Sequence, residues 1–158
     1  MLIGLSLIEI MDLPLPKLSV QKKLGYKPTQ EEVDYLYDLI NKDVFDNMLP
    51  KPELKLGARC RKFWGMCYGE EKPCVNGSYC RIKLMDKWYC VQWLVTILAH
   101  EMCHQYQWDV YSANRRNRVI SHGPSFYLFQ MKLKKHNISL KAHYSTKRWL
   151  ETQDLFKS

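Results

Sequence analysis

The chain has 158 residues, a length that suits one domain with a sizeable hydrophobic core. Its composition, 46% hydrophobic and 25% charged, is that of a folded globular protein and excludes a wholly disordered chain. The formal net charge of +8 favours an anionic partner, although charge alone does not identify one.

The apolar segments are too short for a membrane protein. The longest apolar stretch lies near Leu94–Ala99, far short of the roughly 20 residues that span a bilayer. The first residues lack a basic segment and contain Glu9 and Asp12, which makes them a poor signal peptide. We therefore expect a protein that is neither membrane-bound nor secreted, located in the cytoplasm or associated with the nucleoid or other DNA. For the same reason we expect the six cysteines to be reduced thiols.

Residues 1–29 are predicted to form an N-terminal arm of extended conformation, because they contain three prolines and show little periodicity. A helix is predicted next. Thr29 is a suitable N-cap, and Glu31 and Glu32 follow it in the first turn. Apolar residues from Val33 to Phe45 then keep helical spacing.

Three strands are predicted after this helix. Apolar and polar residues alternate over Glu53–Arg59, and further strand-like segments cover Phe63–Tyr68 and Ser78–Met85. Val91–Tyr106 is apolar almost all round, which is typical of a buried helix. A polar loop follows, and Pro124 suits the first turn of another helix. The order helix, three strands, helix, helix predicts an α+β fold.

The buried helix contains the sequence His100-Glu101-Met102-Cys103-His104. Residues four apart share one helix face, so both imidazoles can bind one metal ion, and Zn²⁺ is the expected cofactor. Zinc lowers the pKa of a bound water towards about 7, and Glu101 is placed to take its proton as a general base. A structural cluster without metal is the alternative, but burying an unpaired carboxylate is strongly unfavourable.

A catalytic zinc site of this type needs a third protein ligand. The remaining histidines are His122, His136 and His143, and no glutamate occurs between residues 102 and 150. His122 lies at the entrance of the next predicted helix, where a ligand can be held rigidly. His136 lies at the end of that helix among basic residues. His143 lies in a basic tail, from which it could act near the metal without binding it. The predicted metal ligands are therefore His100, His104 and His122.

The pattern of H-E-x-x-H on an apolar helix, a polar loop, and H-G-x-x-F opening another helix resembles the SprT-like domain. That domain is the protease core of the Spartan DNA–protein crosslink proteases. The segments LAHEMCHQY and SHGPSFYLF carry the resemblance, and VDYLYDLINKDVFDNMLPKPELKLG is similar to the family's first helix, turn and strand. Ser121 departs from the pattern, because many members have glycine before the third histidine.

The resemblance implies a compact zincin-like domain over residues 30–136, with a small three-stranded sheet and a helix after the H-E-x-x-H helix that supplies the third ligand. In it, His100, His104 and His122 match the zinc ligands and Glu101 the catalytic base. Residues 137–158 are expected to form a basic C-terminal extension that packs on the domain or trails it.

Two basic clusters accompany aromatic residues. They are Arg115, Arg116 and Arg118 between the histidine motifs, and Arg59, Arg61 and Lys62 upstream. Cations next to aromatic rings can follow phosphates and stack bases. Together with the resemblance, these clusters predict DNA as a partner, with single-stranded character favoured. A solvated basic surface without this function is the alternative.

These observations predict a zinc-dependent endopeptidase of SprT-like type that acts on protein substrates bound or crosslinked to DNA, with a monomer as the favoured state. Tyr106, Tyr111, Arg118 and His143 are candidates for stabilising the oxyanion, and the sequence does not choose among them. Two other functions stay open. One is a general zincin protease without DNA dependence, and the other is a non-catalytic, zinc-stabilised nucleic-acid-binding module.

Overall fold

A computed structural model describes residues 2–15, 24–57, 63–112 and 119–144. Within these ranges the chain forms four α-helices and one three-stranded sheet, which confirms the predicted α+β class. In chain order the elements are α1 (Leu7–Met11), α2 (Gln30–Asp43), β1 (Glu53–Leu56), β2 (Gly65–Gly69), β3 (Cys80–Leu84), α3 (Val91–Tyr106) and α4 (Gln130–Lys135). Two 3₁₀ turns lie at Val75–Gly77 and Phe126–Phe129, and a π-helical turn lies at Gln107–Tyr111.

The sheet has the strand order β1–β3–β2. The central strand β3 is parallel to β1 and antiparallel to β2, so that Leu54 and Cys67 both lie opposite Ile82. Ile82 is fully buried, which places one face of the sheet in the core. β1 ends at Leu56, earlier than the predicted Arg59, because Gly57 turns the chain with a φ of +87°.

The predicted N-cap of α2 is confirmed. The Thr29 side chain accepts a hydrogen bond from the backbone N–H of Glu32, and the Glu32 side chain accepts one from the Thr29 N–H. This reciprocal pair is a capping box, which satisfies two N–H groups that the first helical turn leaves free. The helix then buries its apolar face, which consists of Val33, Leu36, Tyr37 and Ile40.

Helix α3 has the bounds predicted from its apolar pattern and lies in the middle of the domain. It contacts β2, β3, α1 and α2, and its residues Trp93, Leu94 and Leu98 are fully buried. Packing on nearly every side therefore holds the helix in one orientation, which is what a site built on it requires. Across the described ranges, none of the helices has the length and apolar character needed to cross a bilayer.

Helix α1 corrects the prediction of an extended N-terminal arm. Ser6 and Glu9 form a capping box at its start, and Leu7 and Ile10 are fully buried in the core. The helix is too short to show a periodic pattern, so its apolar residues gave no helical signal. The Ser6–Glu9 spacing was the available sequence signal.

Residues 137–144 pack on the domain, which is one of the two arrangements expected for the C-terminal extension. Ile138 and Leu140 are almost fully buried. The Tyr144 hydroxyl donates a hydrogen bond to the Ser139 carbonyl (2.6 Å) and accepts one from the Lys141 N–H (3.1 Å). Residues 145–158 lie outside the described ranges.

Candidate metal centre and active site

Two histidines of α3 project from the same side of the helix. His100 and His104 are four residues apart, and their ring centroids are separated by 4.9 Å. His100 is 8% exposed, and the adjacent Glu101 is 7% exposed. The H-E-x-x-H spacing therefore places both imidazoles side by side, as helix periodicity predicts.

His122 reaches the same point from the loop before the 3₁₀ turn at Phe126–Phe129. Its Nε2 lies 3.1 Å from the Nε2 of His104, and the donor atoms of His100, His104 and His122 all lie within 4.8 Å of one another. The His122 backbone has a φ of +56°, which is uncommon for a residue other than glycine. The helix expected from Pro124 becomes α-helical only at Gln130, so a strained loop rather than a helix presents His122.

Hydrogen bonds on the outer side of two rings determine which nitrogens face the centre. His100 Nδ1 lies 2.9 Å from the Lys141 carbonyl oxygen, and His104 Nδ1 lies 3.0 Å from Oε1 of Gln107. Both partners are acceptors, so Nδ1 of each ring carries the proton. The Nε2 atom of each ring therefore presents a lone pair to the centre, which is the form that a metal ion binds.

The spacing and protonation of the three imidazoles fit a divalent metal ion. Two nitrogens bound to zinc at a tetrahedral angle are about 3.3 Å apart, close to the 3.1 Å between His104 and His122. Burial, with a smaller effect of the neighbouring imidazoles, lowers the pKa of His100 to about 3. Burial also lowers the pKa of His104 and of His122. All three rings are therefore neutral ligands near neutral pH, and the cluster can hold an ion such as Zn²⁺.

Phe126 packs against all three imidazoles. Its ring centroid lies 4.9 Å from that of His100, 4.6 Å from His104 and 4.8 Å from His122, and its side chain is fully buried. A buried aromatic ring in this position restricts the rotation of the imidazoles and excludes water from one side of the cluster.

Glu101 lies between the histidine cluster and strand β2. Its Oε1 is 3.9 Å from His100 Nε2, and its carboxylate accepts a hydrogen bond from the backbone of Cys67. Burial raises the pKa of Glu101 to about 7, although the hydrogen bond from Cys67 acts in the opposite direction. A carboxyl group with a pKa near neutrality can accept and return a proton at physiological pH.

The histidines and Glu101 open onto a cleft with a volume of about 770 Å³. Strand β2, the π-helical turn, the His122 loop and the C-terminal segment form its walls. The residues of β2 that line it are Gly65, Met66, Cys67 and Gly69, and its aromatic lining residues are Phe63, Tyr79 and Trp108. A cleft of this size next to a buried, titratable cluster is typical of an active site.

The model of the SprT-like family matches residues 33–148, which is most of the chain. The chain belongs to the SprT-like family. No curated protein matches it at a significant level. Membership indicates a metalloprotease-type domain, and the matched range contains the three histidines that can hold a metal ion. The family predicted from the motifs is therefore confirmed, and the match extends beyond residue 136 into the C-terminal segment.

The two other histidines of this SprT-like domain differ in position. His136 lies at the end of α4, where its Nδ1 is 3.0 Å from the Lys132 carbonyl oxygen, and it is not part of the cluster. His143 lines the cleft, with its ring centroid 5.6 Å from that of His122. The structure therefore brings His122, and not His136, next to His100 and His104, and the ligand assignment itself stays a prediction.

The structure describes three of the four candidates for oxyanion stabilisation, and these three differ in position. His143 is on the cleft wall, whereas the Tyr106 ring packs against Phe129 at a centroid distance of 4.8 Å. Tyr111 is 36% exposed at the end of the π-helical turn. Arg118 lies outside the described residues. His143 is therefore the described candidate with the best placement for this role.

The basic clusters predicted to contact DNA lie outside the described ranges. They are Arg115, Arg116 and Arg118, and Arg59, Arg61 and Lys62. DNA contact stays a prediction. The five cysteines within the described ranges form no disulfide there, and their reduced state stays a prediction.

Three contributions to the site came from residues that sequence reasoning did not select. They are the Gln107 side chain, the Lys141 carbonyl and the Cys67 backbone. For Gln107 a signal existed, because a residue three positions after His104 lies next to it on a helical surface. The two backbone groups have no signal in the sequence, since every residue carries the same main-chain atoms.

Proposed function

We propose that this SprT-like protein is a zinc-dependent endopeptidase that cleaves proteins bound or crosslinked to DNA. The observation that carries the proposal is the position of Glu101 beside three converging imidazoles at an open cleft. Three protein donors leave a position for water or substrate, which is characteristic of catalytic zinc sites, whereas structural sites use four.

The residues of the chain then have distinct roles. When bound, Zn²⁺ supplies a Lewis acid that polarises the substrate carbonyl and acidifies a water molecule. Glu101 takes the proton of the attacking water and returns it to the leaving amine. The backbone of Cys67 orients the Glu101 carboxylate, and His143 donates a hydrogen bond to the oxyanion from the cleft wall.

Glu101→Gln tests this assignment, because it keeps the shape of the side chain and removes the base. Zinc content is expected to be unchanged, while cleavage of casein or histone falls by a factor on the order of 10²–10⁴. The matched control is Glu70→Gln, the same substitution at an exposed glutamate that also lines the cleft. Near-normal turnover in Glu101→Gln, or an equal loss in Glu70→Gln, would refute the role of Glu101.

The DNA part of the proposal is supported by the net charge of +8 and by the resemblance to the Spartan protease core. It requires that added single-stranded DNA stimulate cleavage of a DNA-binding protein more than cleavage of a short peptide. Equal rates with and without DNA on both substrates would identify a general zinc protease.

A further inference from the structure

The side chain of Gln107 connects the two parts of the histidine cluster. It is 1% exposed, and its Oε1 accepts a hydrogen bond from His104 Nδ1 (3.0 Å). Its Nε2 donates to the Ile120 carbonyl (2.9 Å) and to the Ser125 hydroxyl (3.0 Å). Ile120 and Ser125 flank His122 in the chain, so one amide group contacts both the helix that carries His104 and the loop that carries His122.

These partners determine the orientation of the amide. The Ile120 carbonyl only accepts hydrogen bonds, so it must face the NH₂ group of Gln107, and the carbonyl oxygen of Gln107 must then face His104. An amide oxygen in turn requires a proton on His104 Nδ1. The lone pair of His104 Nε2 is therefore directed at the centre of the cluster, 3.1 Å from His122 Nε2.

Gln107 reaches this position because α3 continues into a π-helical turn. The Ser112 N–H donates to the Gln107 carbonyl (3.0 Å), which is the five-residue hydrogen bond of a π-helix. Asp109 in the same turn anchors it to the β2–β3 connection, accepting from the Ser78 hydroxyl (2.6 Å) and the Tyr79 N–H (2.7 Å). The turn is therefore fixed at a second point away from the cluster, and such turns occur frequently at functional sites.

We propose that Gln107 is a positioning residue for the metal centre, which sets the tautomer of His104 and holds the His122 loop at the distance that a metal ion requires. The inference rests on the proposed metal site. Without the amide, His104 is free to carry its proton on Nε2, where it blocks the ligand lone pair. The strained backbone of His122 also loses a support on each side.

The test compares three variants of the 158-residue chain. Gln107→Met keeps the approximate volume and removes all three hydrogen bonds, whereas Gln107→Glu keeps an acceptor for His104 and removes the two donors. Gln92→Met is the matched control, because Gln92 is also buried on α3 but donates to the Leu13 carbonyl (2.8 Å). The Zn²⁺ dissociation constant is measured by competition with a chromogenic chelator, together with the visible spectrum of the Co²⁺-substituted protein and thermal unfolding.

Gln107→Met is expected to weaken Zn²⁺ binding by roughly 10–100-fold, the usual effect of losing an outer-shell partner. Gln107→Glu is expected to recover part of that affinity and to change the Co²⁺ spectrum, since a carboxylate is a stronger acceptor for His104. Gln92→Met should bind zinc like the wild type even if its unfolding temperature falls.

Stoichiometric zinc in the wild type with an unchanged dissociation constant in Gln107→Met would overturn the inference and leave the metal site intact. A wild type that binds no zinc would instead refute the proposed function. If Gln107→Met fails to fold, Gln107→Glu decides, and a wild-type affinity with a wild-type Co²⁺ spectrum in that variant would overturn the inference.

Discussion

Among the single residues of the site, burial lowers the pKa of His100 and raises the pKa of Glu101. Each side chain is almost fully buried next to the other, and removal from water disfavours the charged form of both. The imidazole therefore stays neutral to about pH 3, while the carboxyl titrates at about pH 7. A neutral imidazole serves as a metal ligand, and a weakly acidic carboxyl serves as a base, so one physical effect prepares both groups.

The stability of the metal-free protein should depend on pH through His100. An unfolded histidine titrates near pH 6.5, whereas folded His100 titrates at about pH 3. Between these values the unfolded chain binds more protons, so the free energy of unfolding decreases as the pH falls below about 6.5. Glu101 acts oppositely between its ordinary pKa of 4.5 and about 7, because there the folded protein binds more protons.

The measurement is urea unfolding of metal-free Glu101→Gln, which removes the opposing contribution, from about pH 7 to about pH 4.5. Adding His100→Gln is expected to flatten the pH dependence. An identical slope with and without His100→Gln would show that His100 is not neutral in the folded state.

The third ligand is tested by comparing two histidines. His122→Ala should weaken zinc binding by more than the roughly 10–100-fold expected for an outer-shell change, because a direct donor is lost. His136→Ala, the same substitution at the end of α4, should leave zinc content unchanged. Metal analysis after dialysis checks both, and the reverse pattern would contradict the ligand assignment.

Among the elements, the contact between β2 and α3 determines whether the Glu101 carboxylate has a hydrogen-bond partner. Gly65 begins β2, and a Cβ atom there would lie 2.9 Å from Leu84 Cδ2 and 3.3 Å from Ile97 Cγ2 of α3. The absence of a side chain thus permits a close approach of strand and helix. That approach brings the backbone of Cys67 within hydrogen-bonding distance of Glu101.

Gly65→Ala is expected to lower stability by about 1–3 kcal/mol, because an extra methyl group overpacks this contact. It should also lower kcat while zinc stays bound, since the displaced strand no longer orients Glu101. Gly25→Ala is the matched control, because a Cβ atom at Gly25 has no neighbour within 4 Å. Chemical denaturation and casein cleavage provide the two measurements, and wild-type values for Gly65→Ala would show that the close approach is not needed.

The molecule as a whole is basic, with 24 Lys and Arg against 16 Asp and Glu. A net charge of this kind affects which partners the protein attracts rather than which fold it adopts. The proposed substrate is a protein bound to DNA. Contacts between basic residues and DNA phosphates would bring such a substrate to the cleft, but they would not recruit a protein or peptide that is free of DNA. The Arg115–Arg118 segment joins the π-helical turn to the His122 loop, and both of these line the cleft.

Reversing Arg115, Arg116 and Arg118 to Glu should therefore reduce single-stranded DNA affinity and DNA-stimulated cleavage. Zinc content and cleavage of a short free peptide should be retained. Because phosphate contacts release counterions, wild-type binding should weaken steeply between about 50 and 200 mM salt, and the variant should show a shallower dependence.

The control makes the same charge change elsewhere in the chain, by reversing Lys132, Lys134 and Lys135 of α4 to Glu. An equal loss of DNA binding in both variants would attribute the effect to net charge. Unchanged DNA stimulation in the arginine variant would exclude this segment as the DNA-binding surface.

The sequence by itself determined the features that depend on short-range spacing. The period of the α-helix is sufficient to place His100 and His104 together, and the apolar pattern is sufficient to define the bounds of α3. The Thr29 cap of α2 was predictable for the same reason, because its partners are three residues apart. The family followed from these local motifs and was confirmed over residues 33–148.

Only the tertiary structure decided which distant groups complete the site. The hydrogen bond that His100 donates to the Lys141 carbonyl spans 41 residues, and because its acceptor is a backbone group, no residue type signals it. The carboxylate of Glu101 likewise depends on the backbone of Cys67, on a strand that the chain reaches before α3. The pKa shifts of His100 and Glu101 arise from burial. The groups that pack against His100 come from segments distant in sequence and include Phe126 and Tyr144. Periodicity and spacing report neighbours within a few residues, whereas burial and backbone contacts depend on how those elements pack together.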